Sequence, residues 1–456
     1  MNPPAWFSGG APRVFERESP PLGLLYLAAY VHAHSDRFAV RVLDVGPEGT
    51  SLEALGRCLA STKPFVVGVS AMTIQLQGAR DVAMKVRETL PKARIFLGGA
   101  HVSADPGFVE RHAEAFDHGI TGEAETVLLD SLVRLASGTP PPRIQQGQAP
   151  VDLDALPVPD RSLVRQARYL QPASLVLSRG CPYHCYFCAS PAAFARVRHR
   201  SSGSVLSEME ALLGGPRGRV AFADDTFTLN RPLVLDLCSE IHRRSLRPRW
   251  SCVTRIDRVD EELVRQMRRA GCDTIGFGIE SGNERVRRDV IRKGDYTNED
   301  VYRAVALCQA QGMRVNAFFL IGNPTETDEE LDETEAMISR LGLNGVAVSL
   351  PIPFPGSALY AMAERDGVID TDTLDRFARK ELGWGVTGVY PLYTPGHDRE
   401  ALLRRMKRIF RRFYLRPTRF LDFLRRDLDQ PRLLVEDIRS TLYLLRRGGS
   451  RKRPFV

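Results

Sequence analysis

The chain has 456 residues, 43% hydrophobic and 26% charged, with eight cysteines in no paired framework spacing. That is ordinary for a soluble globular chain of about three domains with large cores, and it excludes a small secreted disulfide scaffold. The net charge of +8 comes from the end of the chain, because residues 401–456 hold 17 Lys and Arg against 5 Asp and Glu, whereas residues 1–400 hold 46 against 50; no nucleic-acid partner is expected of a body so balanced.

The start, Met1-Asn-Pro-Pro-Ala-Trp-Phe, lacks the basic region and apolar core of a secretory signal, so a cytoplasmic location is expected. Strand candidates come next at Ala39-Val-Arg-Val-Leu43, Phe65-Val-Val-Gly-Val69 and Ile95-Phe-Leu97, with an amphipathic stretch from Ala79 to Leu90 between the last two. Strands alternating with helices predict βαβ units and a Rossmann-like parallel sheet, which binds ligands outside the carboxyl ends of its strands. The three strands run into the turns Asp44-Val-Gly46-Pro-Glu-Gly49, Ser70-Ala-Met72-Thr73 and Gly98-Gly99-Ala-His101. Small and polar residues in all three turns let a large flat ligand approach the backbone closely. A Pro-rich stretch without periodicity, from Ser137-Gly-Thr-Pro-Pro-Pro through Pro157-Val-Pro-Asp160, reads as a linker over residues 137–170.

A second series of strand candidates begins at Ser174: Leu175 to Ser178, Val220 to Ala223, Trp250 to Thr254, Thr274 to Ile279, Val315 to Ile321 and Val346 to Leu350. These repeats, spaced by helical stretches, predict a partial (β/α)6 TIM-like barrel, and the active sites of barrels gather at the carboxyl ends of the strands. Those ends carry Cys181, Cys185 and Cys188; Asp224 and Asp225; Arg255; Glu280 and Ser281; Asn323 and Glu326; and Pro351. Thiolates, carboxylates and an arginine on one rim suit a metal cluster beside a polar, zwitterionic small molecule. The segment Cys181-Pro-Tyr-His-Cys185-Tyr-Phe-Cys188 offers three soft ligands where a cubane iron–sulfur cluster usually takes four, leaving one iron open. A structural zinc site would need a fourth ligand and a second knuckle, which no distant Cys-x-x-Cys supplies, although His184 sits within the turn. Cys58, Cys238, Cys252, Cys272 and Cys308 stand singly in apolar stretches and read as small buried hydrophobes. The uncharged run from Asn344 to Ala363 contains Pro351, Pro353 and Pro355, which would break a membrane-spanning helix, so a buried strand and a turn are expected.

With these residues in place, the chain resembles the cobalamin-dependent radical S-adenosylmethionine enzymes over residues 20–360. Cys181-x3-Cys185-x2-Cys188, with Phe187 before the last cysteine, is similar to the family's cluster motif. The resemblance implies that the three thiolates hold a [4Fe-4S] cluster whose open iron chelates S-adenosylmethionine. Phe222-Ala-Asp224-Asp225-Thr-Phe-Thr is similar to the second-strand motif that meets the methionine amino group, and Arg255 to the residue that meets its carboxylate. Gly276-Phe-Gly-Ile-Glu280-Ser281 resembles the fourth-strand motif around the ribose and carboxylate, and Ile321-Gly322-Asn323-Pro-Thr-Glu326 the fifth-strand motif bordering the adenine. Ahead of the barrel, Pro20-Pro-Leu22-Gly23-Leu and the three strand-end turns, with Asp44, Gly46, Gly49, Ser70, Met72, Thr73, Gly98 and Gly99, resemble the family's cobalamin-binding domain. Many cobalamin carriers place a cobalt-ligating histidine two residues after the first-loop aspartate; Gly46 stands there, so no protein imidazole is expected on cobalt from this position. His101, after the Gly98-Gly99 turn, has two readings: approach to the corrin, or a loop histidine satisfied by backbone.

The resemblance implies reduction of the cluster by an external donor such as flavodoxin or ferredoxin, cleavage of S-adenosylmethionine to a 5'-deoxyadenosyl radical, and methylation of an unactivated carbon in a small-molecule or lipid-like substrate. Radical cyclisation or rearrangement on the same cofactors is the first alternative, and a cobalamin-binding sensor or carrier without turnover the second. The expected division is a cobalamin domain over 1–136, a barrel over 171–360 and a helical, basic region over 361–456. In that last region Leu403, Met406, Ile409, Phe410 and Phe413 fall at helical spacing against a basic face. Such a segment either rests on an anionic membrane surface or packs across the barrel. Trp384 and Tyr393 are candidates for the substrate side of the barrel mouth.

Overall fold

The computed structural model describes residues 1–4, 19–214, 217–382 and 391–415. The chain is α/β, and its first layer is a parallel sheet of β1 (Val66–Ser70), β2 (Arg94–Gly98), β3 (His118–Thr121) and β4 (Ile144–Gln146), adjacent in that order. The central strand β2 is a continuous buried run rather than an alternating one, with Ile95, Phe96 and Leu97 all buried, as in a sheet covered on both faces. The predicted amphipathic helix spans Leu76–Thr89 and buries Ala79, Val82, Ala83 and Val86 on this sheet.

Two differences from the sequence expectation concern this layer. His118-Gly-Ile-Thr121 and Ile144-Gln-Gln146 are too short and polar to read as strands, yet parallel pairing with β2 and with each other recruits them, and β4 lies within the stretch read as linker. Ala39–Leu43, by contrast, forms no ladder. Its pairing partner is Met1–Asn2, which reaches only its carboxyl end: Asn2 N donates to Leu43 O at 2.9 Å and Val45 N to Asn2 O at 3.0 Å. Asn2 thus lies beside Asp44, and Ser70 N donates to Met1 O at 3.0 Å on the other side. The terminal ammonium donates to Gly68 O, and burial pushes its pKa down to about 5.

The second layer is the barrel. β5 (Ser174–Leu175) leads into a short antiparallel hairpin, β6 (Ser178–Arg179) with β7 (Arg198–His199), which brackets the cysteine segment. β8 (Arg217–Phe222), β9 (Arg247–Thr254), β10 (Cys272–Glu280), β11 (Arg314–Leu320) and β12 (Gly345–Ser349) complete a six-stranded parallel sheet of order β12-β11-β10-β9-β8-β5. Its core includes Trp250, Phe277 and Phe319, and Cys238, Cys252, Cys272 and Cys308 are buried within it as the sequence suggested. The prolines from Pro351 onward form a turn after β12, as expected.

Three features join the layers. Arg179 donates to Glu123 and Glu125 at 2.6 and 2.7 Å, and Arg198 also pairs with Glu123, all largely buried. Helix Thr371–Ala378 returns to the first sheet, where Leu374, Phe377 and Ala378 enter its core and Asp375 accepts from Arg111 at 2.9 Å. Gly356, with φ +82°, sits where a Cβ would lie 2.8 Å from Ala192 Cβ and 3.1 Å from Ala104 Cβ, so the cysteine segment's helix Ser190–Ala193 and helix Ala100–Ala104 meet there without room for a side chain.

Of the two readings of the basic region, packing across the barrel holds for helix Arg399–Tyr414. Leu402, Ile409 and Phe413 are buried in the barrel core, while Arg408 and Arg412 pair with Glu335 at 2.7 and 2.6 Å and Arg405 with Asp332. The remainder of the basic region, residues 416–456, and Trp384 lie outside the described residues. Among the described residues no helix is long and apolar enough to cross a membrane.

Candidate active site

The cysteine segment begins at Gly180, whose φ of +89° and whose 2.7 Å approach of a would-be Cβ to Arg196 O require glycine. Cys181, Cys185 and Cys188 come next, all free and half-buried, on a turn closed by Cys188 N donating to Cys185 O at 3.0 Å. Cys181 Sγ lies 3.6 Å from Thr226 Oγ1, and Ser190 N donates to Cys188 Sγ at 3.4 Å. Burial pushes the Cys185 thiol up, and the charges of Lys293 and Arg255 oppose that shift. His184 is exposed. Among the described residues no three His, Cys, Asp or Glu side chains converge as a single metal ion would require.

The aromatic residues between the cysteines anchor the segment. Tyr186 is buried; its N–H donates to Ile291 O at 3.1 Å, its carbonyl accepts from Leu359 N at 2.8 Å, and its hydroxyl donates to Asn323 Oδ1 at 2.8 Å. The Tyr183 ring lies 3.7 Å beneath the Arg255 guanidinium carbon. Phe187 packs edge-on against Tyr186. Tyr186→Phe is expected to lower stability by about 1–3 kcal/mol, because the Asn323 acceptor loses a buried donor; calorimetry finding an unchanged melting temperature would contradict this anchoring role.

Several predicted contacts turn out to be engaged with protein. Asp224, expected at the methionine amino group, accepts from Leu177 N at 3.0 Å and from Ser178 N and Oγ at 2.6 Å each. Its carboxylate therefore stitches β8 to the strand that enters the cysteine segment, and burial raises its pKa to about 6. Asp225 is the exposed member of the pair and accepts from Ser190 Oγ at 2.6 Å. Ser281 is fully buried and faces Thr334 at 3.2 Å rather than the rim. Asn323 is fully buried as well, donating to Leu320 O and Glu326. Gly322 is closed over by Leu402, whose Cδ1 lies 2.4 Å from a would-be Cβ. Glu326 accepts through one oxygen from Gly322 N, Asn323 N and Asn323 Nδ2 and keeps Oε1 buried without a partner, so burial pushes its pKa up to about 7.

Arg255 remains available. Asp257 accepts from its Nε and Nη2 at 2.9 and 2.8 Å, while Nη1 is buried with no partner, an arrangement suited to receiving a carboxylate. Glu280 sits at φ +71° at the end of β10 and pairs with Lys293 at 2.7 Å. No local sequence pattern marks Lys293, Tyr183 or Tyr186 for the site, because each acts through a partner distant in the chain.

On the first sheet, Asp44 is buried and accepts from Asn2 Nδ2 at 2.9 Å and Tyr169 Oη at 2.7 Å, so it holds the loop rather than facing outward. Gly46 is buried in the short helix after it, and Gly49 ends that helix at φ +65°. Ser70 and Gly98 end neighbouring strands; Met72 is 55% exposed beyond them. Gly99, at φ +99°, leaves only 2.7 and 2.8 Å between a would-be Cβ and Ala71 O and N, so this turn packs on the Ala71 backbone with no room for a side chain. Leu22 is half-buried and Gly23 exposed at the start of helix Leu22–His34. His101 is not satisfied by backbone: it is buried, its Nδ1 lies 3.2 Å from Thr73 Oγ1 in the neighbouring turn, its Nε2 is buried without a partner, its ring meets Phe108 edge-on, and burial holds its pKa down to about 4.

Residues 175–338 match the Radical SAM superfamily and residues 13–131 the B12 binding domain. The chain belongs to the cobalamin-dependent radical SAM enzyme family. This radical SAM enzyme is 28% identical to an uncharacterized methyltransferase of Pyrococcus horikoshii over 433 residues, 89% of this chain and 90% of that one. It is 26% identical to an anaerobic magnesium-protoporphyrin IX monomethyl ester cyclase of Rubrivivax gelatinosus, covering 90% of this chain and 76% of the cyclase. The fold of the radical S-adenosylmethionine methyltransferase TsrM from Kitasatospora setae, solved with cobalamin and a [4Fe-4S] cluster, matches with a TM-score of 0.62 at 23% identity, covering 76% of this chain and 72% of TsrM. The cofactors of the radical SAM enzyme are accordingly a [4Fe-4S] cluster, S-adenosylmethionine and cobalamin.

Proposed function

We propose that this radical SAM enzyme is a C-methyltransferase acting on an unactivated carbon of a small-molecule or lipid-like substrate. The observation that supports the reading is the tight meeting of helices Ala100–Ala104 and Ser190–Ala193 at Gly356, which brings the Gly98-Gly99 turn and the cysteine segment onto adjoining parts of the two layers. When bound, the cluster and S-adenosylmethionine supply a carbon-centred radical and cobalamin supplies a transferable methyl group.

The residues' own work is to bind, orient and exclude water. In this reading Cys181, Cys185 and Cys188 hold the cluster, Arg255 Nη1 receives the methionine carboxylate, and Glu280 and Asp225 present the carboxylates nearest the rim. Asp224 and Tyr186 act behind them, fixing the entry and the middle of the cysteine segment. Gly98, Gly99, Ser70 and Met72 underlie the corrin, with Thr73 holding the buried His101 at Nδ1. The cobalamin layer then extends to β4, and the barrel from β5 to β12, with the helix Arg399–Tyr414 closing the end of β11 through Leu402.

The cyclase among the relatives keeps oxidative cyclisation as a second reading. Turnover with S-adenosylmethionine carrying a deuterated methyl group decides between them: the label is expected in the product, and a product that lacks it while 5'-deoxyadenosine accumulates would establish the second reading.

A further inference from the structure

The segment after β10 contains a π-helical turn, Val286–Val290, a form that often marks functional sites. It ends at Ile291, and the chain then turns through Arg292 and Gly294 at φ +58° and +124°. Three site elements converge on these few residues. Ile291 O accepts from Tyr186 N in the cysteine segment, Lys293 O accepts from Arg255 Nη2, and Lys293 Nζ donates to Glu280 Oε1 at 2.7 Å. The two ends of the pair are both about nine-tenths buried.

The local sequence makes room for this convergence. A Cβ on Gly278 would lie 2.6 Å from Lys293 Nζ and 2.7 Å from Glu280 Oε1, so the two charged ends meet over β10 where residue 278 carries no side chain, and a methyl there would displace them. A Cβ on Gly294 would lie 3.0 Å from Arg255 Nη2. Glu280 is held in the left-handed region, which a glutamate adopts only under constraint. Arg255 is fixed at Nε and Nη2, which leaves Nη1 buried and aimed by its partners rather than by chance. A buried ion pair contributes little net stability, so fold stability alone does not account for the arrangement.

We propose that Lys293 is a positioning residue for S-adenosylmethionine: its ammonium orients the Glu280 carboxylate and its carbonyl orients the Arg255 guanidinium. The inference rests on the reading above that those two residues meet S-adenosylmethionine.

The test uses the full chain, anaerobically reconstituted, with Lys293→Met, Lys293→Arg, Glu280→Gln, Arg255→Ala and the Lys293→Met/Glu280→Gln double variant. Iron content, S-adenosylmethionine affinity by equilibrium dialysis, and the change that S-adenosylmethionine causes in the EPR spectrum of the reduced cluster are measured for each. Lys293→Met is expected to retain its iron, to bind S-adenosylmethionine at least ~10-fold more weakly, as for a lost outer-shell partner, and to lose the EPR change. Lys293→Arg should recover most of the affinity, and the double variant none. Wild-type affinity in Lys293→Met overturns the inference. So does recovery in the double variant, which would make the lysine a mere neutraliser of a buried charge, or iron loss in both single Lys293 variants, which would make the segment purely structural. If Glu280→Gln and Arg255→Ala themselves bind S-adenosylmethionine normally, the underlying reading falls and takes the inference with it; if either is impaired while Lys293→Met is not, the inference alone falls.

Discussion

Cys185→Ala is expected to abolish cleavage of S-adenosylmethionine, with 5'-deoxyadenosine formation falling to background. A cubane cluster here has three thiolates available from one turn, and two cannot hold it with an iron left open for a substrate. The loss should exceed the ~100-fold effect of removing an outer-shell partner at a metal site. Cys185 is half-buried, on a loop pinned at Tyr183 and Tyr186, so a methyl in place of the thiol leaves the loop's anchors untouched. Iron content should therefore fall while circular dichroism and cobalamin retention stay unchanged. Cys252→Ala is the matched control, since that thiol is packed in the barrel core; its iron content should be normal. A Cys185→Ala preparation that keeps its iron and still makes 5'-deoxyadenosine would sink the cluster assignment.

Gly99→Ala is expected to eliminate cobalamin retention. The substitution forces an L side chain to φ +99°, a backbone cost of about 1–3 kcal/mol, and drives its methyl against Ala71 O and N. Those atoms cannot withdraw cheaply, because Ala71 N donates to Gly98 O at 2.9 Å and Ala71 O accepts from His101 N at 3.2 Å. The turn must distort, and the visible spectrum of the purified protein should lose its cobalamin bands while the iron content holds. Gly98→Ala separates distortion from contact. The nearest atom to that would-be Cβ is Ile120 O at 3.9 Å, so the fold accepts the methyl, and any loss of cobalamin there reports contact with the ligand itself. Full cobalamin occupancy in Gly99→Ala would remove the first sheet's turn from the site.

Much of this enzyme was legible because its signals are local. The six barrel strands were readable from apolar runs recurring between helical stretches, and the cysteine segment from ligand spacing within eight residues. β3 and β4 were not, because His118-Gly-Ile-Thr121 and Ile144-Gln-Gln146 become strands only through a neighbour that offers parallel hydrogen bonds. Ala39–Leu43 shows the converse: a strong strand pattern whose partner covers one end forms no ladder. The apolar stripe read at Leu403, Met406, Ile409, Phe410 and Phe413 left out Leu402, which the structure buries over Gly322.

By itself the sequence determined the α/β class, through a period along the chain, and three soft ligands at short fixed spacings; the family and the three cofactors came through the resemblance that those motifs carry. Only the tertiary structure decided which polar groups remain free for a ligand. Asp224 and Asp225 are neighbours with the same side chain, yet one is engaged by Leu177 and Ser178 and the other stands exposed. His101 and Met72 lie just past neighbouring strands, yet one is buried against Phe108 and the other open. The physical reason is that most buried polar groups find their partners within the protein, and those partners, like the exceptions such as Arg255 Nη1, are chosen by where distant segments meet.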